Sequence, residues 1–379
     1  MKQQIPFFVP WITDEDEKAV VEALNSRWLT GGPKAVEFEK MFANYIGINN
    51  AISVNSCTSA LHLAMRAIDI GPGDEVIVPV LTFAAVANAP IFCGAKPVLA
   101  DVDEKTYNIL PEDIMNKITD KTKAVIVVHH AGQPCDMKEI AEIAEDNRLH
   151  IIEDCAHSLG ASYVGRKTGS IGTTGCFSFY PTKNITTLEG GMVTTNDSDI
   201  ARKMILLREH AITKKAIERE KEMGWYYDVI DLGYNYRLNE IQAALGTSQL
   251  RRIKEINKKR IEAANRYTAR LSKIEGIIPP YAAPNRVHVY HLYVIKVIEE
   301  EFGLSRDELF VKLSKQGIGL SVHYTPLHLL SFYKKTLGHN LGDFPNAERA
   351  YKQVLSLPLF PTMTQEQIDY VAERIMKGH

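Results

Sequence analysis

The sequence predicts an α/β protein: a mostly parallel seven-stranded sheet with helices on both faces, followed by a smaller α+β domain. Three observations predict it. Seven short runs rich in Val, Ile or Phe recur along the first two-thirds of the chain, each four to six residues long, as strands buried on both faces require. Helical patterns lie between most of them, and strand–helix alternation favours parallel pairing. After residue 276 a Pro-rich break, IIPPYAAPNR, opens a different pattern.

In order, the strands are expected at Ala51–Val54, Val76–Val80, Pro97–Asp101, Ala124–His129, Leu149–Glu153, Gly175–Tyr180 and Met192–Thr195. The intervening helices are expected at Ser59–Ile68, Ala84–Phe92, Pro111–Ile118 and Met137–Asn147. Ahead of them, Thr13 and Asp16 form a capping box for an N-terminal helix with an acidic first turn. A helical pattern without proline runs from Leu238 to about Leu271, on the order of 50 Å if continuous. It joins a large domain, residues 1–249, to a small one, residues 250–379. In the small domain, strands are expected at His291–Val297 and Gly319–Val322. Helices there should start at Ser305, near Asn346 and near Thr364.

Composition narrows the functional class. With 45% hydrophobic and 24% charged residues, the chain has the balance of a soluble globular protein. A formal net charge of −2 argues against nucleic acid or a membrane surface as main partner. No apolar run approaches the roughly 18 residues that span a bilayer, and the N-terminal segment lacks a secretory pattern. Five cysteines without a CxxC pair point away from a disulfide framework or a metal site, and toward the cytoplasm.

Four stretches carry the chemistry. Lys183 sits in SFYPTKNITTLEGG (178–191), between a short aromatic strand and a Glu-Gly-Gly turn. A lysine there is either a solvated loop side chain or a covalent anchor for an aldehyde cofactor. NSCTSALHLAM (55–65) follows a strand and opens a helix, which leaves backbone N–H groups and a positive dipole end for an anion. Thr58 and Ser59 add donors, or simply cap the helix. Asp154 ends the strand LHIIE, where sites in parallel sheets lie. It is a helix-capping acid or the partner of a protonated ring nitrogen. A charge pair about 4 Å apart contributes roughly 4 kcal/mol at an effective dielectric of 20. His157 faces the same ring or sits in the core, Phe83 stacks on a flat ligand or fills core, and Ser178 offers a further hydroxyl. A phosphate cradle, a carboxylate for a ring nitrogen, an aromatic cover and an anchoring lysine are together what pyridoxal 5′-phosphate (PLP) needs.

With GYNYRLNEIQAAL (233–245) and VHYTPLH (322–328), these motifs resemble the DegT/DnrJ/StrS family of nucleotide-sugar aminotransferases, fold-type I PLP enzymes, over nearly the whole chain. The resemblance makes Lys183 the Schiff-base lysine and proton shuttle and pairs Asp154 with the pyridine nitrogen. It places His157 near the ring hydroxyl, Thr58, Ser59 and Ser178 on the phosphate, and Phe83 over one ring face. Asn235 reaches the phosphate of a neighbouring subunit, which implies a homodimer with shared sites. Thr30, Gly31, His323 and Tyr324 match positions lining a sugar-nucleotide cleft.

The segments REHAI (208–212) and GWYYDVIDLGYNYR (224–237) resemble enzymes that aminate C4 of UDP-linked 4-keto-6-deoxy sugars with glutamate as donor. Those for 4-amino-4-deoxy-arabinose carry a variant of GYNYR and lack TPLH, so the altrosamine, pseudaminic-acid type fits better. PLP-dependent sugar dehydratases of the same fold replace the lysine by histidine, and Lys183 is intact here. A non-catalytic PLP-binding regulatory protein would not need the full donor set. No GxGxxG follows the first strand, which disfavours a nicotinamide dehydrogenase.

Overall fold

A computed structural model describes residues 4–213 and 225–377; of the segments named above, Gly224 lies outside them. Among the described residues the chain forms the strands β1 Asn50–Val54, β2 Glu75–Pro79, β3 Lys96–Ala100, β4 Thr122–Val128, β5 His150–Asp154, β6 Ser162–Tyr163, β7 Arg166–Lys167, β8 Thr174–Ser178, β9 Gly191–Thr195, β10 Ile277–Ile278, β11 Arg286–Val287, β12 Tyr293–Val297 and β13 Val354–Leu357. Seven of them make the main sheet, in the order β1-β9-β8-β5-β4-β2-β3. The pairs β3–β2, β2–β4, β4–β5 and β5–β8 are parallel, and β9 runs antiparallel to both its neighbours.

All seven predicted strands are present, within two residues at each end. They were readable because both faces of the sheet are covered: every residue of β2 and β9 is buried. β5 lies in the middle of the sheet, with Asp154 level with Val128 of β4 and Cys176 of β8. The carboxylate therefore sits at the centre of the sheet's C-terminal edge, the place where parallel sheets bind ligands.

The predicted Thr13–Asp16 capping box is formed, and Asp16 also accepts from Gln249 at 2.7 Å. The single long helix is not. It is two helices, Glu240–Arg251 and Ile253–Leu271, meeting at Arg252 with φ −102° and ψ 4°. The cause is tertiary: the Arg252 guanidinium reaches back to Asp16 at 2.5 Å and lies over the Trp11 ring.

A second correction concerns Gly319–Val322, which forms no strand. Only single bridges tie the neighbourhood down, Ile318 to Ile5 and Ser321 to Ser356. The third strand of the small sheet β10-β12-β13 is Val354–Leu357, fully buried directly after the helix Pro345–Gln353. The capping boxes at Ser305 and Thr364 open helices as expected. Around the small sheet a separate apolar core gathers Tyr267, Tyr293, Phe302, Leu309 and Ile368. Among the described residues no helix is long and apolar enough to cross a membrane.

Candidate active site

Between the C-terminal edge of the main sheet and the segments around 321–324 and 357–359 lies a cavity of about 600 Å³. Eight predicted residues line it: Thr58, Phe83, Asp154, His157, Ser178, Lys183, His323 and Tyr324.

Lys183 is held by a loop that closes on itself. Phe179 donates to Gly190 O and Thr187 donates to Phe179 O, both at 2.9 Å, and Lys183 N donates to Tyr180 O at 2.9 Å. Asn184 Nδ2 pins the loop to Asn257 Oδ1 at 2.7 Å. Burial lowers the Lys183 amine to about 8, with Asp154 and Cys57 pulling it back up. A buried ammonium loses its hydration, so the neutral amine, the nucleophilic form, is reached near neutral pH.

Asp154 uses one carboxylate oxygen locally, accepting from Ala156 N at 2.9 Å on Oδ1. Oδ2 accepts no hydrogen bond from the described residues. Burial raises the carboxyl above its ordinary value, against the pull of the Ala156 N–H and of Lys183. A cationic N–H donor arriving in the cavity would satisfy this oxygen.

Ser56 caps the helix Cys57–Ala67, its Oγ accepting from Ser59 N at 3.1 Å. That leaves the N–H groups of Cys57 and Thr58 without acceptors among the described residues, at the cavity wall. β9 starts flush against this turn. A Cβ on Gly191 would meet the Ser56 carbonyl carbon and oxygen at 2.6 Å and Cys57 N at 2.9 Å.

His157 lies beside Tyr324 and is fully engaged. Its Nδ1 accepts from Ala131 N at 3.3 Å and its Nε2 meets Tyr324 Oη at 3.0 Å. Burial, with Lys183 nearby, holds it well below the usual histidine range. His323 shares a hydrogen bond with Ser356 Oγ at 2.8 Å and stacks on Phe7, and burial lowers it to about 3. Phe83 stands half-open at the rim, its ring centroid 6.2 Å from that of Tyr324.

Four predicted residues are not brought into this cavity. The Ser59 hydroxyl turns to Asn55 Oδ1 at 2.6 Å and to Ser56 Oγ at 2.9 Å. Thr30 bridges Asn239, and the Thr30–Gly31 turn is anchored by Glu240, whose carboxylate accepts from Gly32 N at 3.0 Å, Lys34 N at 2.8 Å and Ala35 N at 3.2 Å. The Asn235 carbonyl accepts from Asn55 Nδ2 at 3.4 Å, away from the cavity of its own chain.

Other lining residues escaped sequence reasoning. Ser56 had a signal, the small polar residue just before the helix. Tyr180, Thr182 and Glu189 lay inside the Lys183 motif, but nothing local marked them. Phe7, Ser321 and His291 reach the cavity from distant parts of the chain.

An unpartnered carboxylate oxygen, two free N–H groups at a helix start, and a lysine with lowered proton affinity fit PLP: ring nitrogen, phosphate and aldehyde each have a complementary group. The sequence profile of the DegT/DnrJ/EryC1/StrS aminotransferase family matches residues 10–376. The chain belongs to this family. It is a PLP-dependent aminotransferase.

The spore coat polysaccharide biosynthesis protein SpsC of Bacillus subtilis is 44% identical to this aminotransferase over 373 residues, covering 98% of this chain and 96% of SpsC. Helicobacter pylori PseC, an aminotransferase involved in the biosynthesis of pseudoaminic acid, superimposes with a TM-score of 0.93 at 31% identity over 99% of both chains. Spr1654 of Streptococcus pneumoniae, solved in its PLP form, gives 0.92 at 32% identity, covering 99% of this chain and 98% of that one.

Proposed function

We propose that this aminotransferase moves the amino group of glutamate to C4 of a UDP-linked 4-keto-6-deoxy-hexose, for the sugars of a surface polysaccharide or glycan. The observation that carries the reading is one cavity lined by both Lys183 and the open side of Asp154. The sugar class draws support from the polysaccharide role in the name of SpsC and the pseudoaminic acid role in that of PseC. Beyond Asp154 and Lys183, Glu189 is the one acidic or basic Asp, Glu, Lys or Arg side chain among the described residues of the lining. The wall at Tyr180, Thr182, Ser321 and His323 offers neutral polar groups, which suit sugar hydroxyls.

When bound, PLP supplies an aldehyde that takes up an amine and a ring that draws electrons from the reacting carbon. The chain's own residues do the rest. The N–H groups of Cys57 and Thr58, with the Thr58 and Ser178 hydroxyls, bind the phosphate. Asp154 Oδ2 holds the proton on the pyridine nitrogen. Phe83 covers one face of the ring and limits water. Lys183 Nζ, neutral near pH 8, removes a proton from the donor's Cα and later returns one to the carbon that becomes C–NH₂.

The same reading makes the enzyme a cytoplasmic homodimer with two shared sites, each chain divided near residue 249 into a large cofactor domain and a small one. Asn235 then serves the phosphate of the neighbouring subunit. Trp225, Tyr226 and Leu232, large apolar side chains exposed in the single chain in the segment that precedes it, are suited to burial in such an interface.

The test is a two-stage reaction. Glutamate is added to the PLP-loaded protein and removed, and then UDP-, dTDP- and GDP-linked keto-sugars are offered singly, with mass spectrometry of the products. The expected result is an amino sugar from the UDP-4-keto-6-deoxy substrate. Amination only at C3, or only of an amino-acid-derived keto acid, would refute the reading.

A further inference from the structure

We infer that Tyr324, held in one hydrogen-bonding direction by His157, donates directly to the ring oxygen of bound PLP, and that His157 acts on that oxygen only through Tyr324. This rests on the proposed placement of the cofactor over Asp154 and Lys183.

Ala131 lies in the short turn His130–Gly132 with φ 55°, and its backbone N–H reaches His157 Nδ1 at 3.3 Å. A backbone N–H can only donate, so Nδ1 is the unprotonated nitrogen of the ring. The buried His157 is neutral, so its one proton is on Nε2. Nε2–H therefore donates to Tyr324 Oη, 3.0 Å away. The hydrogen of the tyrosine hydroxyl cannot point back along that bond. No other acceptor among the described residues takes it, and Tyr324 lines the cavity, so the hydrogen is presented to whatever the cavity holds.

His157 itself has no nitrogen to spare. To touch a ligand oxygen it would have to give up Ala131 or Tyr324. PLP carries its ring oxygen on the side of the ring opposite its phosphate arm, so with the phosphate at the Cys57–Thr58 turn and the pyridine nitrogen at Asp154 the oxygen would face the cavity wall away from that turn. His157, three residues after Asp154, and Tyr324, in contact with it, line the same cavity. The ionisable groups around the hydroxyl and its His157 partner are Asp154 at the end of β5, His130 from the short turn, His323 beside Tyr324 in its own segment, His291, whose ring centroid is 4.4 Å from that of His157, and Lys183. Burial, with Asp154 adding to it, pushes the Tyr324 phenol up, so it remains a donor across the working pH range. The four histidines, His130, His157, His291 and His323, are lowered by burial and stay neutral.

The test reads the cofactor rather than turnover. A donor at the ring oxygen stabilises its anionic form and so lowers the proton affinity of the bound chromophore. The visible absorbance of the PLP-loaded enzyme is titrated with pH in the natural protein, in Tyr324→Phe and in His157→Phe. Loss of the hydroxyl should raise the titration midpoint by about one pH unit, a tenfold gain in proton affinity. His157→Phe should move it the same way by less, because the hydroxyl remains but is no longer aimed.

An unchanged midpoint in Tyr324→Phe at full band height overturns the inference and leaves the aminotransferase reading standing. So does a larger shift in His157→Phe than in Tyr324→Phe. Absence of the band from the natural protein takes down the placement of PLP itself, and the inference with it. Nitrogen-15 NMR of the natural protein is independent of how the variants fold. The Nε2–H tautomer is expected at His157, and an Nδ1–H tautomer refutes the one-way chain.

Discussion

Glu153 and Asp154, neighbours at the end of β5, have carboxyl groups in opposite circumstances. Glu153 is saturated: His129 Nε2 at 3.0 Å, Gly169 N at 2.9 Å, Ile171 N at 2.8 Å and Gly172 N at 2.6 Å all approach its oxygens. Asp154 accepts one backbone N–H and turns its other oxygen to the cavity. Alternation along a strand sends the pair to opposite faces, so one carboxylate can brace the sheet edge while the other is left for a ligand.

Glu153→Gln should cost stability. The substitution disturbs a fully buried hydrogen bond with His129 and removes the charge that gathers three N–H groups, a loss of about 1–3 kcal/mol. Burial raises the Glu153 carboxyl, but His129 and the N–H groups of Gly172 and Gly169 outweigh it and leave it lowered overall. A carboxyl lowered by folding stabilises fully above its unfolded value, and that stabilisation fades as pH falls through the folded one. Urea unfolding at a series of pH values should therefore show the natural protein losing more of its stability on acidification than Glu153→Gln does.

Lys183 sets a pH dependence of its own, in a rate rather than in stability. Capture of PLP by the empty enzyme needs the neutral amine, so its rate should rise with pH through about 8, measured by stopped-flow absorbance. The Asp154 charge raises the lysine's proton affinity, so Asp154→Asn should shift that midpoint below the natural one. Turnover in the same variant should fall on the order of 10³-fold, because nothing then holds the ring proton. An upward shift of the midpoint would contradict the electrostatic assignment.

Glu240→Ala leaves three N–H groups at the start of the helix Pro33–Ile46 without their acceptor. A loss of about 3 kcal/mol is expected from orphaned donors and the missing charge at a helix N-terminus. Glu240→Gln, which keeps an acceptor oxygen, should lose less. Thermal and urea unfolding of both variants checks the order.

Gly191→Ala tests the phosphate end. The new methyl would press on the Ser56 carbonyl at 2.6 Å, forcing β9 and the helix start apart. Overpacking of this kind costs about 1–3 kcal/mol. Taken from PLP affinity, that is a loss of roughly 5- to 150-fold. Equilibrium binding of PLP measures it, and unaltered affinity would show that the Cys57–Thr58 turn does not hold the phosphate.

The legible parts of this chain were those with a local signal. β2 and β4 read as continuous Val/Ile runs because both their faces are buried. Thr13, Ser305 and Thr364 read as helix starts because a capping box is written in four residues. The break at Arg252 was invisible, since no Pro or Gly marks it and its cause, Asp16, is 236 residues away. Val354–Leu357 was missed because it continues directly from a helix, and Gly319–Val322 looked like a strand but lacks a partner along its length.

The site divides in the same way. Asp154 and Lys183 stand at strand ends whose chemistry is local. Ser59 was assigned a free hydroxyl that Asn55 and Ser56 in fact share. Phe7, His291 and Ser321 become neighbours of Lys183 only when the two cores pack together.

The most direct measurement is borohydride reduction of the PLP-loaded enzyme, followed by proteolysis and mass spectrometry of the labelled peptide. A single phosphopyridoxyl group on Lys183, in a peptide from the 178–191 region, is the expected result. Label on any other lysine, or no label at all, would contradict the assignment of this cavity as the active site.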